Sequence, residues 1–323
     1  MKTRFPTPRV VVSGCLDFEA CRYNGQRIPF DLIRELEPYV KYVPICPEVE
    51  IGLGIPREPI RLVTGKNAPR LVQPATELDV TAEMNTFSTS FLAKSGDVDG
   101  FILKSRSPSC GLHGVKVYDG PETTSNNGRA PGLFAAEVMV QYPGAAMEDE
   151  GRLRNYRIRE HFLTKLFGLA QLRCVSSMRE LVAFHTEYKL VLMTYNQKKM
   201  RDLGRLVGNA GRERLDQILP AYRMGFGLAL RTAPRYTTVI NTVEHAYGHM
   251  SDKLKAGEKN FFQQQLKRYK DGRLPVSALT SLVHAWAVRF EVGYLLEQSF
   301  FQPYPAELAS LSDSGKGRLR RGV

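Results

Sequence analysis

The chain lacks the features that would place it in a membrane or outside the cell. Nowhere in its 323 residues do about 18 apolar side chains run together, so no segment reads as a membrane-spanning helix. Residues 1–9 (MKTRFPTPR) lack the apolar stretch of a secretory leader, which predicts a cytoplasmic protein with no membrane partner. Cysteine is sparse, five in all, and no two form a CxxC pair. The absence of that pairing argues against structural zinc, and an odd, scattered set of thiols argues against a disulfide framework. No internal repeat is visible. What remains is a folded chain, 43% hydrophobic and 24% charged, which excludes wholesale disorder. Its length suggests two domains, because single cores rarely grow past about 250 residues.

Positive charge is in excess, at a net +12. Basic and acidic residues balance at sixteen each up to Ala145, so the whole excess falls from Ala146 onward. Cysteine is skewed the other way: Cys15, Cys21, Cys46 and Cys110 lie in the first half and Cys174 alone in the second. This partition predicts a neutral, thiol-bearing chemical domain joined to a basic docking domain for an acidic partner.

The first half alternates strands and helices. Residues 9–15 (RVVVSGC), 42–46 (YVPIC), 98–103 (VDGFIL) and 115–118 read as strands, with helices over 30–40, 81–93 and 133–141. This order predicts an α/β domain over residues 1–145 with a mostly parallel, Rossmann-like sheet. Turn residues and acidic residues over 142–151 (YPGAAMEDEG) suggest the boundary. Beyond it the apolar spacing is helical, at Phe162, Leu166, Leu169 and Leu172, then at Leu181, Phe184, Tyr188, Val191 and Leu192. Further helices are expected over 200–207, 212–231, 237–256, 261–269, 276–291 and 294–300. An all-α domain over 152–308 follows, and then a basic, flexible tail over 309–323.

Cys15 and Cys46 end the first two strands, and Cys110 comes seven residues after the third. The carboxyl ends of parallel strands share one edge, where ligands bind, so the three thiols should converge there. Each lies among Gly, Ser or Pro, which let the backbone approach an inorganic group. The alternative role is that of small core hydrophobes. Soft thiolates favour an iron–sulfur cluster, and three of them on a 4Fe–4S cluster would leave one iron open.

The stretches SGCLDFEACRYNG (13–25), CPEVEIGLGIPREPIRL (46–62) and KSRSPSCG (104–111) resemble the thiouracil desulfurase family. The resemblance spans about 145 residues. It implies a 4Fe–4S cluster bound as a metal centre by Cys15, Cys46 and Cys110, with one iron open to substrate sulfur. It also implies a catalytic carboxylate at Glu48 and a contributing serine at Ser107, chosen from Ser105, Ser107 and Ser109. Cys21 is a spare ligand or a structural thiol. For Glu48, the structural alternative is an ion pair with Arg57 or Arg61.

The second half is similar to the YbgA-like helical domain, through HTEYKLVLMTYNQ (185–197), LGRLVGNAG (203–211), HAYGHMSDKLKAGEKNFF (245–262), YKDGRLPVSAL (269–279) and FFQPYPAEL (300–308). The fusion resembles bacterial enzymes that desulfurate 4-thiouridine in tRNA. It implies tRNA as partner, with no DNA expected, and sets no oligomeric state. Candidate RNA contacts are Lys198, Lys199, Arg201, Arg205 and Arg212, with Arg214 beside them, and Lys259, Lys267 and Arg268, flanked by Lys253, Lys255 and Lys270. For any single lysine, a solvated helix face is the alternative. His245 and His249 share an i, i+4 face, but without a third ligand they read as packing or RNA contacts. Free thiouracil as substrate, or a non-enzymatic RNA-binding cluster protein, are the competing readings.

Overall fold

The computed structural model describes residues 5–208 and 214–309; Arg212 and residues 310–323 of the expected tail lie outside them. The chain divides into two compact units, built on Pro6–Ala170 and on Gln171–Ala306.

The first unit contains two sheets. Strands β1 (Arg9–Ser13), β2 (Lys41–Ile45), β6 (Gly100–Leu103) and β9 (Ala146–Asp149) form a wholly parallel sheet in the order β2-β1-β6-β9. Val10, Val11 and Val12 are fully buried in β1, as are Phe101 and Ile102 in β6, so both central strands read as continuous apolar runs. A second, mixed sheet runs β5-β4-β3-β7-β8, from β3 (Arg61–Val63), β4 (Arg70–Gln73), β5 (Leu78–Asp79), β7 (Val115–Tyr118) and β8 (Asn126–Ala130). Of these five strands, the sequence patterning predicts only β7. One core joins the sheets, with Val11 and Phe101 of the parallel sheet clustered with Leu62 and Leu71 of the mixed one. Met84 from helix α3 (Thr81–Lys94) and Phe134 from helix α4 (Leu133–Gln141) complete it. Two shorter helices, α1 (Asp31–Leu36) and α2 (Pro47–Glu50), flank β2 in sequence.

The acidic stretch expected to form a boundary is instead part of this unit. Residues 146–149 pair in register with β6, Gly100 opposite Ala146 and Leu103 opposite Asp149. Helix α5 (Tyr156–Arg173) follows and supplies Phe162, Leu163 and Leu166, all buried. Buried partners for the acidic side chains make this possible; their charge alone points to a solvated linker.

The second unit is helical. It comprises α6 (Met178–Glu187), α7 (Lys189–Tyr195), α8 (Gln197–Gly208), α9 (Leu215–Ala229), α10 (Tyr236–Gly248), α11 (Ala256–Lys270), α12 (Val276–Arg289) and α13 (Gly293–Leu296). Ser177 caps α6 by accepting from the Glu180 amide at 3.2 Å. The helix expected over 237–256 stops at Gly248 and gives way to a 3-10 turn, Ser251–Lys253. Leu190, Val243, Phe262, Leu279, Val283 and the one tryptophan, Trp286, pack into a common core. Among the described residues, no helix is long and apolar enough to cross a membrane.

Helix α4 fixes the loop that carries Cys110. Its first amides donate to that loop, Leu133 N to Pro108 O at 3.1 Å and Ala135 N to Ser109 O at 3.1 Å. Gly132 makes this approach possible, since a Cβ there would lie 2.5 Å from the Ser109 carbonyl. Gly132→Ala should therefore destabilise the first unit by about 1–3 kcal/mol through overpacking, read as a lower urea midpoint at unchanged m-value.

Candidate active site

In the parallel sheet, the chain leaves β1 for β2 on one side and β6 for β9 on the other. The carboxyl ends of β1 and β6 therefore flank a topological switch point, the place where open parallel sheets bind ligands. Lys104 N donates to Ser13 Oγ at 2.9 Å across this point, tying the two strand ends together.

Thiols gather at this edge. Cys15, Cys21 and Cys110 are buried and Cys46 is half-buried. Cys21, whose role the sequence leaves open, lies within electrostatic reach of the Cys15 and Cys46 thiols, and Cys46 Sγ donates to its carbonyl at 3.6 Å. The neighbouring Cys15 thiol, then burial and the Glu19 carboxylate, push Cys21 up to about 12, against the opposing influence of Cys46. Cys46 is raised above the ordinary thiol range by the neighbouring Cys21 thiol and by burial. Cys110 is raised by burial and by the charges of Glu48 and Cys46, opposed by hydrogen bonds with Ser13 and Ser107. Among the described residues, no three His, Cys, Asp or Glu side chains are arranged to hold a single metal ion. This includes Cys110 and His113, which stand at the CxxH spacing common in zinc sites. As donors, four soft thiols gathered at one sheet edge fit a soft metal centre, whose positive charge would draw off protons that isolated burial retains.

Glu48 sits beside them, on the four-residue helix α2 that begins right after Cys46. Arg57 donates to Glu48 Oε2 from Nε at 2.9 Å and from Nη2 at 2.7 Å. Both side chains are largely buried, 5% exposed for Arg57 and 13% for Glu48. The same guanidinium donates to the Cys21 carbonyl at 3.0 Å and the Gly54 carbonyl at 3.2 Å, and Nη2 stands 3.9 Å from Cys46 Sγ. Of the two arginines considered as partners, Arg57 makes the pair; Arg61 lies over the Tyr118 ring, 4.6 Å from its centroid. The other oxygen, Oε1, faces the serines: Ser109 Oγ donates at 3.0 Å and Ser107 Oγ at 3.5 Å. Ser107 Oγ also accepts from the amides of Ser109 at 3.2 Å and Cys110 at 3.0 Å. Ser107 thus shapes the Cys110 turn, and Ser109 is the closer hydroxyl to the carboxylate. Gly111 closes the turn where a Cβ would lie 2.7 Å from the Ser107 carbonyl. Ser105 points elsewhere, to Glu150, at 2.7 Å from Oγ.

Sequence matching places the region that carries these residues in a known family. The family described as 2-thiouracil desulfurase matches residues 10–150. Uncharacterized protein YbbK of Bacillus subtilis (strain 168) is 35% identical over 153 residues, covering 45% of this chain and 98% of that protein. The chain belongs to the 2-thiouracil desulfurase family. Behind this desulfurase region, residues 189–305 match a second family, described as a protein of unknown function, DUF1722. Uncharacterized protein YbgA of Escherichia coli (strain K12) is 22% identical over 161 residues, 50% of this chain and 87% of that protein. Among solved structures, the 4Fe-4S-dependent thiouracil desulfidase TudS is similar at 28% identity with a TM-score of 0.35, covering 46% of this chain and 93% of that one.

In the DUF1722-matching half of this desulfurase-family chain, α8 carries Lys198, Lys199, Arg201 and Arg205, of which all but the half-buried Lys199 are exposed. Arg205 pairs weakly with Asp202 at 3.7 Å. Lys259, Lys267 and Arg268 lie on α11, the last two in its final turn beside Lys270. Cations are favoured at a helix C-terminus whatever the ligand. Helix α8 packs on α6, α7 and α9, and α11 on α10 and α12. The two basic stretches thus belong to different packing neighbourhoods. Of the interleaved aromatics, Phe261 is exposed and Phe262 is core. His245 and His249 meet edge to face at 5.3 Å.

The thiol environments give a direct test. In metal-free protein at pH 8, exposed Cys174 should react with iodoacetamide well before Cys21, Cys46 and Cys110. Cys21 should stay slow until the pH nears 12, because only thiolate reacts and burial restricts access. Peptide mapping of alkylated samples across a pH series checks this order.

Proposed function

We propose that this chain converts 4-thiouridine in tRNA to uridine, replacing the thiocarbonyl sulfur with oxygen from water and releasing sulfide. The reaction is a hydrolysis: one water enters, hydrogen sulfide leaves, and nothing is oxidised or reduced. The observation that carries the reading is Glu48, a carboxylate fixed on one oxygen by Arg57 and turned by the other toward Ser109 and Ser107, next to a crevice of thiols. A 4Fe–4S cluster held by Cys15, Cys46 and Cys110 would supply a thiophilic Lewis acid for the departing sulfur.

The chain's own residues account for the proton chemistry. Glu48 Oε1 accepts the proton of the attacking water and returns it as the carbon–sulfur bond breaks. Arg57 keeps Oε2 engaged, so the carboxylate presents one oxygen in one orientation. Ser109 Oγ, at 3.0 Å from Oε1, is placed to donate to that oxygen or to a nucleophilic water beside it. Removing Glu48 leaves the buried Arg57 guanidinium unpaired, so Glu48→Gln is a cleaner test than Glu48→Ala.

The tRNA assignment is supported by the charge partition: residues 189–305, which match DUF1722, carry 18 basic against 9 acidic side chains, and exposed α8 cations suit phosphate. A second reading, free thiouracil as the substrate, is favoured by the name of the family that matches residues 10–150. Anaerobically reconstituted protein should remove 4-thiouridine from bulk tRNA with stoichiometric sulfide, followed by nucleoside analysis. Loss of free 2-thiouracil alone would favour the second reading, and no sulfide from either would overturn both.

Glu48→Gln should retain the cluster's visible absorption and lower kcat by about 10²–10⁴, the usual contribution of a general acid–base; normal turnover would remove Glu48 from the mechanism. Neutralising Lys198, Lys199, Arg201 and Arg205 together should weaken tRNA binding and flatten its dependence on log salt by roughly 0.7–0.9 for each phosphate no longer neutralised. Filter binding from low to moderate salt reads that slope, and an unchanged slope would exclude α8 from the interface.

A further inference from the structure

The acidic residues 148–150 have no part in the chemistry above, yet they are buried at the carboxyl end of β9, in the same sheet edge as the thiols. Glu148 is paired with Arg152, at 2.8 Å from Nε. Glu150 instead reaches the residue at the mouth of the Cys110 loop. Its Oε2 accepts the Ser105 amide at 2.7 Å, and its Oε1 accepts Ser105 Oγ at 2.7 Å and the Lys104 ammonium. Lys104 Nζ in turn donates to Ser105 O at 3.1 Å and Ser105 Oγ at 3.0 Å. Every polar group of Ser105 is therefore held by Glu150 or by the lysine that Glu150 neutralises.

The next residue explains the need for such a clamp. Arg106 has φ +59°, a left-handed conformation that a side-chain-bearing residue adopts only when its surroundings impose it. It is held from both sides. Before it stands the Glu150 clamp on Ser105; after it, Ser107 Oγ accepts the amides of Ser109 and Cys110. Release of the first clamp would let Arg106 return to an ordinary backbone conformation. That rotation would displace Ser107 first and strain the turn to Ser109 and Cys110, whose far side stays anchored by the α4 amides to Pro108 O and Ser109 O, so their alignment with Glu48 would loosen.

We propose that Glu150 is a positioning residue for the desulfurase site, setting residues 105–110 through Ser105 and the left-handed Arg106 so that Ser109 and Cys110 meet Glu48. This rests on the reading of Glu48 and the serines given above. It gives the buried Glu150 carboxylate a role that its distance from Glu48 and the thiols does not.

The test is a double-mutant cycle with two readouts. Glu150→Gln keeps the shape but places an amide NH2 against Lys104 and Ser105 Oγ. In the reconstituted full-length protein, kcat should fall by roughly 10–100-fold with KM little changed, the signature of misplacement rather than lost binding. In the metal-free protein, alkylation of Cys110 should accelerate several-fold relative to Cys21, a readout that needs no turnover. Arg106→Gly should partly restore both in the Glu150→Gln background, because glycine adopts the left-handed conformation without a clamp. If wild-type protein shows no desulfuration, the function assignment fails while the alkylation pattern still tests the clamp. If Glu150→Gln leaves both kcat and Cys110 protection intact, the positioning role is overturned. If both change but Arg106→Gly gives no recovery, the left-handed residue is not the element that Glu150 acts on.

Discussion

The buried guanidinium of Arg57 is the interaction on which the site depends. It ties the loop after β1, through the Cys21 carbonyl 36 residues away, to α2 through Glu48 and to its own turn through Gly54. Only hydrogen bonds to charged or strongly polar partners repay the burial of a guanidinium, and here four donor contacts do so. The pair is better understood as a device of specificity than as a source of stability, since well-packed apolar residues often serve a core equally well. What it specifies is the orientation of Glu48: with Oε2 fully engaged, only Oε1 is presented to the serines.

A second constraint comes from topology. A parallel sheet aligns its carboxyl ends, and the order β2-β1-β6-β9 places Cys15, Cys46, Lys104 and Glu150 along one edge. The Cys110 loop reaches the same edge because α4 donates its first amides to it and Gly132 permits the close contact. The site is thus assembled from five segments, each too short to carry chemistry alone. Its polar members are satisfied by neighbours from other segments, as buried polar groups must be.

Several parts of this arrangement are legible in the residues. The runs VVV of β1 and GFIL of β6 announce central buried strands, and the thiols that follow them mark the strand ends. The charge balance up to Ala145 and the excess beyond it tell a neutral region from a basic one without any structure, though the first compact unit runs on to Ala170. Other parts are not legible. Strands β3, β4 and β5 have three, four and two residues, too few for alternation to register against background. Strand β8 (NNGRA) is polar and mostly exposed at the sheet edge, so it carries no apolar signal at all. The acidic run in β9 misleads for a different reason: charge ordinarily predicts solvent, and the partner that reverses this for Glu150, Lys104, lies 46 residues away.

The sequence by itself determined which residue types were available and roughly where: soft thiols at strand ends, a carboxylate two residues after Cys46, serines before Cys110, and an excess of positive charge confined to residues beyond Ala145. Those are local properties, written in composition and spacing. The tertiary structure decided pairing. It chose Arg57 over Arg61 as the partner of Glu48, set Ser109 closer than Ser107, brought the Cys21 carbonyl onto Cys46, and turned an apparent linker into a buried strand end. Pairing is decided by which backbone segments the core brings into contact, and the periodicity of a single segment holds no record of that.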